Sequence, residues 1–425
     1  MTRFELPGSL RDSRRGEGVT RSEPQPDRRA SKRVLALSLC SLLLATLSGR
    51  ALLAHDANRV QAVTVGRSAA LAACEGLDSS NSSRARANFP RAPDVRFRTR
   101  ISGGIGQAPS CDQAGNLILA HGEPRLSKLD AHGRSLWTER LPSEASCTPA
   151  LLSNGAILVV TRDADALLFQ PSGVLQYKQA LPLSDPRRRT FSIPTASGGA
   201  LVASGADLLQ LDARGAVERQ AHARGSITAI AESESDLVAI SENGSVELAR
   251  ATGDFELVGN LGGTAPEGGA VQAGKVLAVV DAHRLVALDL ATGQTQTLAT
   301  DPALALSGPP TLFENQGSAL VADGGFVSLR ASGGRESVRV SIATATQAFD
   351  PAARALRAAL LIGDRSGAVA AVRSASDALL LQADGSALRF DNSACLDPFR
   401  PTPVPGGIAF TCRSGQVLVV SDRVP

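Results

Sequence analysis

The stretch Leu129-Asp-Ala-His-Gly133 is an apolar residue followed by a polar turn that ends in glycine, and the chain repeats this pattern six times. The other copies are Phe169-Gln-Pro-Ser-Gly173, Leu211-Asp-Ala-Arg-Gly215, Ala249-Arg-Ala-Thr-Gly253, Leu288-Asp-Leu-Ala-Thr-Gly293, Leu329-Arg-Ala-Ser-Gly333 and Leu381-Gln-Ala-Asp-Gly385. The seven glycines are 40, 42, 38, 40, 40 and 52 residues apart. A period near 40 residues, with several short strands in each unit, is typical of the blades of a β-propeller.

Each unit follows one plan of four strands. A glycine precedes an apolar strand in the first half of the unit, as in Gly115-Asn-Leu-Ile-Leu-Ala and Gly155-Ala-Ile-Leu-Val-Val. The polar turn then joins the third strand to the fourth, and its glycine supplies the positive φ that other residues adopt at a cost. We therefore predict an all-β fold built from four-stranded antiparallel blades.

The two ends of the repeat region indicate how the ring closes. After the fourth strand of the seventh unit the chain supplies only three more strands, the last of them Gln416-Val-Leu-Val-Val-Ser421. The segment Val95–Ile101 reads as a lone strand ahead of the first full unit. Pairing it with the last blade would remove two exposed sheet edges and give eight blades over residues 95–425. Seven blades is the alternative, and the longest spacing predicts an insertion near residues 343–356.

The first 94 residues of the sequence have a different composition. Residues 1–33 are basic and polar, and we predict that they are disordered. The apolar run Val34-Leu-Ala-Leu-Ser-Leu-Cys-Ser-Leu-Leu-Leu-Ala-Thr-Leu47 follows four basic residues, and residues 34–54 are interpreted as one apolar helix. Such a segment is either the core of a cleaved signal peptide or a membrane anchor. Because either kind of segment directs the following chain across a membrane, the propeller is expected outside the cytoplasm. Residues 55–94, between this segment and the propeller, read as a low-complexity linker.

The charge distribution argues against a nucleic-acid partner. The net charge is +3, and residues 1–33 alone contribute nine basic and five acidic residues, or +4. The rest of the chain is therefore close to neutral, at −1 (3 − 4), which is unlike a surface that binds phosphate backbones.

The cysteine pattern leaves two interpretations open. No Cys-x-x-Cys pair is present, so zinc and redox motifs are disfavoured. In an oxidising compartment Cys111 and Cys147, and Cys395 and Cys412, would form disulfides. The alternative is that these cysteines are buried thiols that act as small apolar residues.

The stretch Leu126-Ser-Lys-Leu-Asp-Ala-His-Gly-Arg-Ser-Leu-Trp137 resembles the repeat of the pyrroloquinoline-quinone-like (PQQ-like) propeller family. In that repeat an aromatic residue, often tryptophan, opens the last strand, and here Trp137 occupies the position, with Tyr177 as a weaker counterpart. Other blades carry residues such as Glu218 and Glu256 there, which argues against a continuous aromatic girdle between blades.

The resemblance also bears on chemistry. The family contains quinoprotein dehydrogenases, which hold the quinone between a tryptophan and a disulfide of adjacent cysteines. It also contains cofactor-free members, among them a lipoprotein of the outer-membrane barrel-assembly machinery. This sequence has no Cys-Cys dipeptide and a single tryptophan, so we expect a cofactor-free member without a quinone or metal site.

No catalytic motif is found in the sequence. The five histidines are scattered without the spacing of metal ligands, and no Gly-x-Ser-x-Gly motif occurs. We therefore predict a non-enzymatic, monomeric scaffold that binds a protein or peptide of the bacterial cell envelope. The loop that contains Arg187, Arg188 and Arg189 is the predicted binding loop, because three guanidinium groups can hold an acidic surface.

An enzyme is the alternative function. It would be a degenerate quinoprotein dehydrogenase or another enzyme sited in the central channel, and it would need acidic residues that converge there. The candidate residues are Asp112, Asp163, Asp281 and Asp364.

Overall fold

A computed structural model describes residues 70–72, 88–185, 188–233, 236–250, 254–265, 268–300, 306–312, 318–322, 326–330, 336–341, 360–363, 369–372, 375–381 and 387–422. The chain divides into two units, Met1–Ala62 and Val63–Pro425, and all described residues belong to the second. The predicted disordered segment 1–33, the apolar segment 34–54 and the insertion near residues 343–356 lie outside the described residues. Within the described residues, no helix has the length and apolar character needed to cross a membrane.

The described residues form antiparallel β-strands. In chain order they are β1 (Ala70–Ala72), β2 (Pro93–Arg100), β3 (Ser110–Asp112), β4 (Leu117–Ala120), β5 (Arg125–Leu129), β6 (Ser135–Arg140), β7 (Ala150–Leu151), β8 (Ile157–Val160), β9 (Asp165–Phe169), β10 (Leu175–Ala180), β11 (Thr190–Pro194), β12 (Ala200–Ser204), β13 (Asp207–Leu211), β14 (Val217–His222), β15 (Ile227–Ser233), β16 (Asp236–Ser241), β17 (Ser245–Ala249), β18 (Phe255–Asn260), β19 (Gly269–Gln272), β20 (Lys275–Val280), β21 (Arg284–Asp289), β22 (Thr295–Thr300), β23 (Leu306–Leu312), β24 (Ser318–Ala322), β25 (Phe326–Arg330), β26 (Glu336–Ser341), β27 (Leu360–Gly363), β28 (Val369–Val372), β29 (Ala375–Leu381), β30 (Ala387–Leu396), β31 (Thr402–Val404), β32 (Gly407–Thr411) and β33 (Gln416–Asp422).

These strands form eight sheets in the described part of the chain, which are the blades of a β-propeller. Blades 1 to 7 each take four consecutive strands, β3–β6, β7–β10, β11–β14, β15–β18, β19–β22, β23–β26 and β27–β30. Blade 8 consists of β31, β32 and β33, and β2 supplies its fourth strand. The predicted all-β propeller with eight blades is confirmed.

Burial shows which strand of each blade faces the centre of the ring. The first strands of neighbouring blades contact one another, for example β3 with β7 and β11 with β15. The second strands β4 and β8 are fully buried, and the third strands β5 and β9 are buried except at their first residue. The fourth strands β6 and β10 are mostly exposed. The first strand of each blade is therefore innermost and the fourth outermost, and the apolar core lies in the clefts between blades.

The ring closes through β2, as the sequence predicted for Val95–Ile101. Strand β2 pairs antiparallel with β33, and its register runs from Pro93 opposite Asp422 to Arg100 opposite Gln416. This pairing covers the edge of β33 and joins the beginning of the propeller to its end. With β2 in place, blade 8 has four strands, and β2 is its outermost strand. The edge of β33 is therefore no longer exposed.

The linker predicted over residues 55–94 is wrong at two places. Strand β1 adds to the channel side of β3, so blade 1 has five strands and not four. Phe89 is buried in the core cluster between blade 8 and blade 1. A three-residue strand of alanine and leucine carries no turn or glycine signal, which is why the repeat pattern gave no sign of it.

Aromatic side chains join three neighbouring pairs of blades. The rings of Phe97, Trp137 and Tyr177 each lie over the turn glycine of the next blade, which is Gly133, Gly173 and Gly215 respectively. A Cβ atom at Gly173 would lie 2.9 Å from the Trp137 ring, and the indole Nε1 donates a hydrogen bond of 3.0 Å to the carbonyl of Pro171. These three rings form a partial aromatic girdle between blades. The sequence indicated Trp137 and Tyr177 as its members, and the structure adds Phe97.

Most outermost strands share an irregular register. The pairing shifts by one residue in β2, β6, β10, β14, β18, β22 and β26. Such a β-bulge disrupts the ladder and increases the local twist. The rim of the propeller is therefore poorly suited to pairing with another sheet.

Candidate partner-binding face

One end of the ring is formed by the loops that connect one blade to the next. We define the loop face as residues 181–185, 188–189, 205–206 and 223–226, which lie around blades 3 and 4. Hydrogen bonds tie these segments together, since Ser204 Oγ donates to the carbonyl of Asp185 (2.9 Å) and the Ile227 N–H donates to the carbonyl of Gly205 (2.7 Å). The loop face is thus held by its own contacts.

A buried carboxylate anchors the first of these loops. Asp207 lies at the start of β13 and is 3% exposed. Its Oδ2 accepts two hydrogen bonds of 2.6 Å, from the backbone N–H and from the hydroxyl of Ser184. Its Oδ1 lies 3.0 Å from His222 Nδ1. Burial alone would raise the pKa of Asp207, but the hydrogen bonds from Ser184 and His222 outweigh it and hold the pKa below its usual range.

A second buried carboxylate anchors the neighbouring loop in the same way. Glu247 lies in β17 and is fully buried, at 0% exposure. Its two oxygens accept the backbone N–H of Arg224 at 2.9 and 3.3 Å. The side chain of Arg224 is exposed beside it. Asp207 and Glu247 were not singled out from the sequence, although a carboxylate within an otherwise apolar third strand was the available signal.

The predicted arginine loop lies on this face. Arg187 is outside the described residues, and Arg188 and Arg189 are exposed. Arg188 forms an ion pair with Asp185 (Nε to Oδ2, 3.0 Å) and donates from its guanidinium to Ser226 Oγ (3.2 Å), which belongs to the next loop. The guanidinium of Arg189 lies 4.8 Å from the centre of the Phe191 ring. The arginines are therefore oriented by neighbours within the chain while they remain open to solvent.

The four cysteines behave differently in two pairs. Cys395 at the end of β30 and Cys412 after β32 form a disulfide with a Cα–Cα distance of 5.4 Å. Cys111 and Cys147 are not joined, so the predicted bridge between them is wrong and the interpretation as buried thiols applies. They lie in two different inter-blade clusters. Burial raises the pKa of the Cys111 thiol, and the neighbouring Asp112 adds to the effect, so this sulfur is a poor nucleophile.

The acidic residues required for a channel enzyme do not form one cluster. Asp112 in blade 1 is paired with Lys128 (Oδ2 to Nζ, 3.0 Å), and Asp281 in blade 5 is paired with Arg284 (Oδ2 to guanidinium, 2.8 Å). Asp163 is an exposed turn residue of blade 2, and Asp364 lies outside the described residues. Blades 1 and 5 of an eight-membered ring are opposite each other. Among the described residues, no group of three or more His, Cys, Asp or Glu side chains could hold a metal ion.

Comparison with known proteins places the propeller in a family. A family model described as "Outer membrane protein assembly factor BamB" matches residues 69–297, more than half of the chain. The chain belongs to this family. The PQQ-like repeat predicted from Leu126–Trp137 is thereby confirmed. The matched region begins one residue before β1 and ends in β22, so it includes the loop face.

Solved structures of BamB-like and other propellers are similar in fold. The crystal structure of BamB from Moraxella catarrhalis has a TM-score of 0.58 and 14% identity, and the match covers 79% of this chain and 99% of that one. The computationally designed Ika8 protein has a TM-score of 0.60 and 14% identity over 76% of this chain and 97% of that one. At such identities the similarity concerns the fold alone. No curated protein matches the chain.

Proposed function

We propose that this BamB-like propeller is a non-enzymatic scaffold of the bacterial cell envelope that binds a protein or peptide partner through its loop face. The proposal depends chiefly on Arg188 and Arg189, which are exposed on loops that buried carboxylates anchor. A preorganised loop loses little conformational freedom on binding, so more of the contact energy contributes to affinity. The family description, an assembly factor, supports a role in binding proteins.

The partner is expected to present an acidic segment to this face. Arg188, Arg189 and Arg224 are exposed there, and the partly exposed carboxylate of Asp185 pairs with only one of them, Arg188. Asp207 and Glu247 are buried. Arginine forms planar, paired hydrogen bonds with carboxylates, which suits recognition of aspartate and glutamate. The chain has only 3% aromatic residues, so charge and shape would contribute more than tyrosine and tryptophan anchors.

The location outside the cytoplasm belongs to the same proposal. Residues 34–54 would export the chain or anchor it in a membrane, and the propeller would act as a monomer. The disulfide between Cys395 and Cys412 is consistent with an oxidising compartment. Cell fractionation of a chain with a C-terminal tag tests the location, and recovery of the tag in the cytoplasm would contradict it.

The loop face is tested by charge reversal. The double variant Arg188→Glu/Arg189→Glu is compared with wild type after crosslinking in cells and purification of the tagged chain. Capture of envelope proteins should fall at least about tenfold, because attraction becomes repulsion. The matched control is Arg134→Glu, an exposed arginine on a turn at the opposite end of the ring. Equal capture by the double variant and the control would reject the loop face as the binding surface.

A further inference from the structure

His222 borders the loop face at the end of the outermost strand of blade 3. It is the last residue of β14, it lies opposite Asp207 of β13 in the register, and it directly precedes the loop-face segment 223–226. Its ring Nδ1 lies 3.0 Å from Asp207 Oδ1. The His222 side chain is 67% exposed, whereas that of Asp207 is 4% exposed. A buried carboxylate therefore holds a solvent-exposed imidazole at the edge of the loop face.

The hydrogen bonds of Asp207 decide which ring nitrogen of His222 can take up a proton. Although burial opposes it, the hydrogen bonds from Ser184 and His222 hold the pKa of Asp207 below its usual range, so this carboxyl is ionised. An ionised carboxylate can only accept, so Nδ1 of His222 must be the donor. In the neutral ring Nε2 then carries no hydrogen, and it is turned away from Asp207.

The same contacts argue against a catalytic role for these three side chains. The hydroxyl of Ser184 donates to Asp207 Oδ2 at 2.6 Å, whereas the ring of His222 pairs with the other oxygen, Oδ1. A nucleophile–base relay requires the hydroxyl to face the imidazole. The arrangement therefore supports a role for His222 in binding, through the charge and the hydrogen-bonding capacity of Nε2.

The pair of Asp207 and His222 makes the charge of the loop face depend on pH. Within the described part of the chain, His222 is the only basic side chain within salt-bridge distance of Asp207. While the ring is neutral, the pair contributes one negative charge, and when the ring is protonated, the pair is neutral. The charge of an imidazole changes between about pH 5 and pH 8. An acidic ligand is therefore repelled by this pair at about pH 8 and is not repelled at about pH 5.5.

The charged groups on the elements around His222 do not share this titration. They are Asp165 and Lys178 of blade 2, Asp185, Arg188, Arg189 and Arg224 of the loop face, and Glu247 of blade 4. Lys178 pairs with Asp165 at 2.9 Å and Arg188 pairs with Asp185 at 3.0 Å. None of these groups is a histidine, and the sequence has no other histidine between His132 and His283. The change of charge in this pH range therefore falls on His222.

We propose that His222 is a binding residue of the loop face and that its protonation strengthens the binding of an acidic partner segment. This rests on the proposed function, because it takes the partner to be acidic. The protonated ring donates from Nε2 to a partner carboxylate, and Asp207 orients the ring from the other side. One added unit charge at contact distance changes the affinity about fivefold in a water-like dielectric. The loop face thus binds its partner more tightly in acidic surroundings.

The first experiment measures binding of an acidic peptide to the full chain at two pH values. The probe is a fluorescent decapeptide of alternating glutamate and glycine, whose carboxylates stay ionised at both about pH 8 and about pH 5.5. Fluorescence anisotropy should show binding about fivefold tighter at the lower pH. The variant His222→Gln should bind equally weakly at both, and His222→Arg, with its permanent charge, should bind tightly at both.

The matched control is His132→Gln, which removes an exposed histidine from a turn at the opposite end of the ring. This variant should keep the fivefold change of wild type. A pH dependence that survives in His222→Gln, or that disappears in His132→Gln, would overturn the assignment to His222.

A second measurement examines the ring itself in the unbound chain. Nitrogen NMR of the imidazole at about pH 8 should find the hydrogen of neutral His222 on Nδ1, because Asp207 can only accept there. A hydrogen on Nε2 at that pH would contradict the arrangement from which the proposal follows.

The outcomes for wild type separate failure of this proposal from failure of the proposed function. Equal binding of the peptide at both pH values would overturn the role of His222 and leave the acidic partner in place. Absence of binding at both would overturn the two together. The Arg188→Glu/Arg189→Glu chain should bind more weakly than wild type at each pH and still bind more tightly on acidification, because the charge of His222 is independent of these arginines.

Discussion

Glycines at the turn before the outermost strand allow neighbouring blades to approach each other closely. Gly173 has φ of +92° and lies under the ring of Trp137, so two requirements coincide at one residue. The positive φ disfavours any residue with a Cβ, and the ring leaves no volume for one. The repeated glycine therefore serves the contact between blades as much as the turn itself.

The change Gly173→Ala separates these two requirements when it is compared with Gly274→Ala. Gly274 also has a positive φ, of +71°, but nothing lies within 4 Å of a Cβ placed there. We expect Gly274→Ala to lower the free energy of unfolding by about 1 kcal/mol, which is the backbone cost alone. Gly173→Ala should cost about 2–4 kcal/mol, because the Trp137 ring must also move. Chemical denaturation measures both, and equal losses would mean that the ring contact contributes nothing.

A second residue-scale prediction concerns Glu232 in β15. Burial raises the pKa of this carboxyl, and the hydrogen bond from the Ala196 N–H (2.7 Å) offsets only part of the effect. A carboxyl whose pKa is raised by folding favours the folded state while it is protonated, and this contribution is lost as the pH rises from about 4 through the folded pKa.

The change Glu232→Gln should therefore raise the melting temperature at pH 7, with the gain disappearing below about pH 4. Glutamine keeps an oxygen that can accept the Ala196 N–H but carries no charge to bury. Thermal melts between pH 3.5 and pH 8 test this, with Glu242→Gln, an exposed acidic residue of the next turn, as the control. A gain that is independent of pH would show that charge burial is not its cause.

At the scale of strands and loops, the disulfide joins two blades near the place of ring closure. Cys395 ends the outermost strand of blade 7, and Cys412 lies in the loop between β32 and β33 of blade 8. The same loop contacts blade 1 on its other side, since the Ile105 N–H donates to the carbonyl of Arg413 (3.2 Å). The loop thus connects blades 7, 8 and 1, and the disulfide fixes it.

Removal of this disulfide should loosen the closing region. The bridge spans 17 residues. Closing a loop of that length lowers the conformational entropy of the unfolded chain, which stabilises the folded state by about 3 kcal/mol. Cys395→Ala/Cys412→Ala should lower the free energy of unfolding by about that amount. Reductant should destabilise wild type to the same level and leave the double variant unchanged. A double variant that responds to reductant would point to another oxidised thiol.

Individual elements also show how far the sequence could be interpreted. The turn glycines and their spacing predicted the blades, because each blade must make the same turns. The lone strand before the first unit and the three strands after the last one predicted closure by β2. Sequence spacing could not decide whether Cys111 and Cys147 are bonded, since this depends on which cleft each side chain enters. Phe97 and Asp207 escaped notice because their roles depend on neighbours from other strands or blades, which the local pattern does not contain.

For the whole molecule, closure by β2 is the contact that converts a row of blades into a ring. A chain that begins at residue 101 lacks β2, whereas a chain that begins at residue 88 retains it. Both chains lack β1, so they differ only in β2 and the five residues that precede it, 88–92. We expect the shorter chain to melt about 10 °C or more below the longer one and to self-associate, because the edge of β33 is exposed. Calorimetry and light scattering measure these properties. Identical melting and a monomeric short chain would show that closure is dispensable.

The hydrogen bond from the Ala92 N–H to Asp422 Oδ1 spans 330 residues. A ribosome adds roughly 5–20 residues per second, so the segment that supplies β2 waits about 15–70 seconds before its partner strand has been synthesised. Blades with all four strands in sequence can fold as they emerge, whereas the last blade stays incomplete until the end of translation. During that interval the waiting segment is exposed to chaperones and proteases. Survival of the nascent chain should therefore depend on what protects the segment that supplies β2.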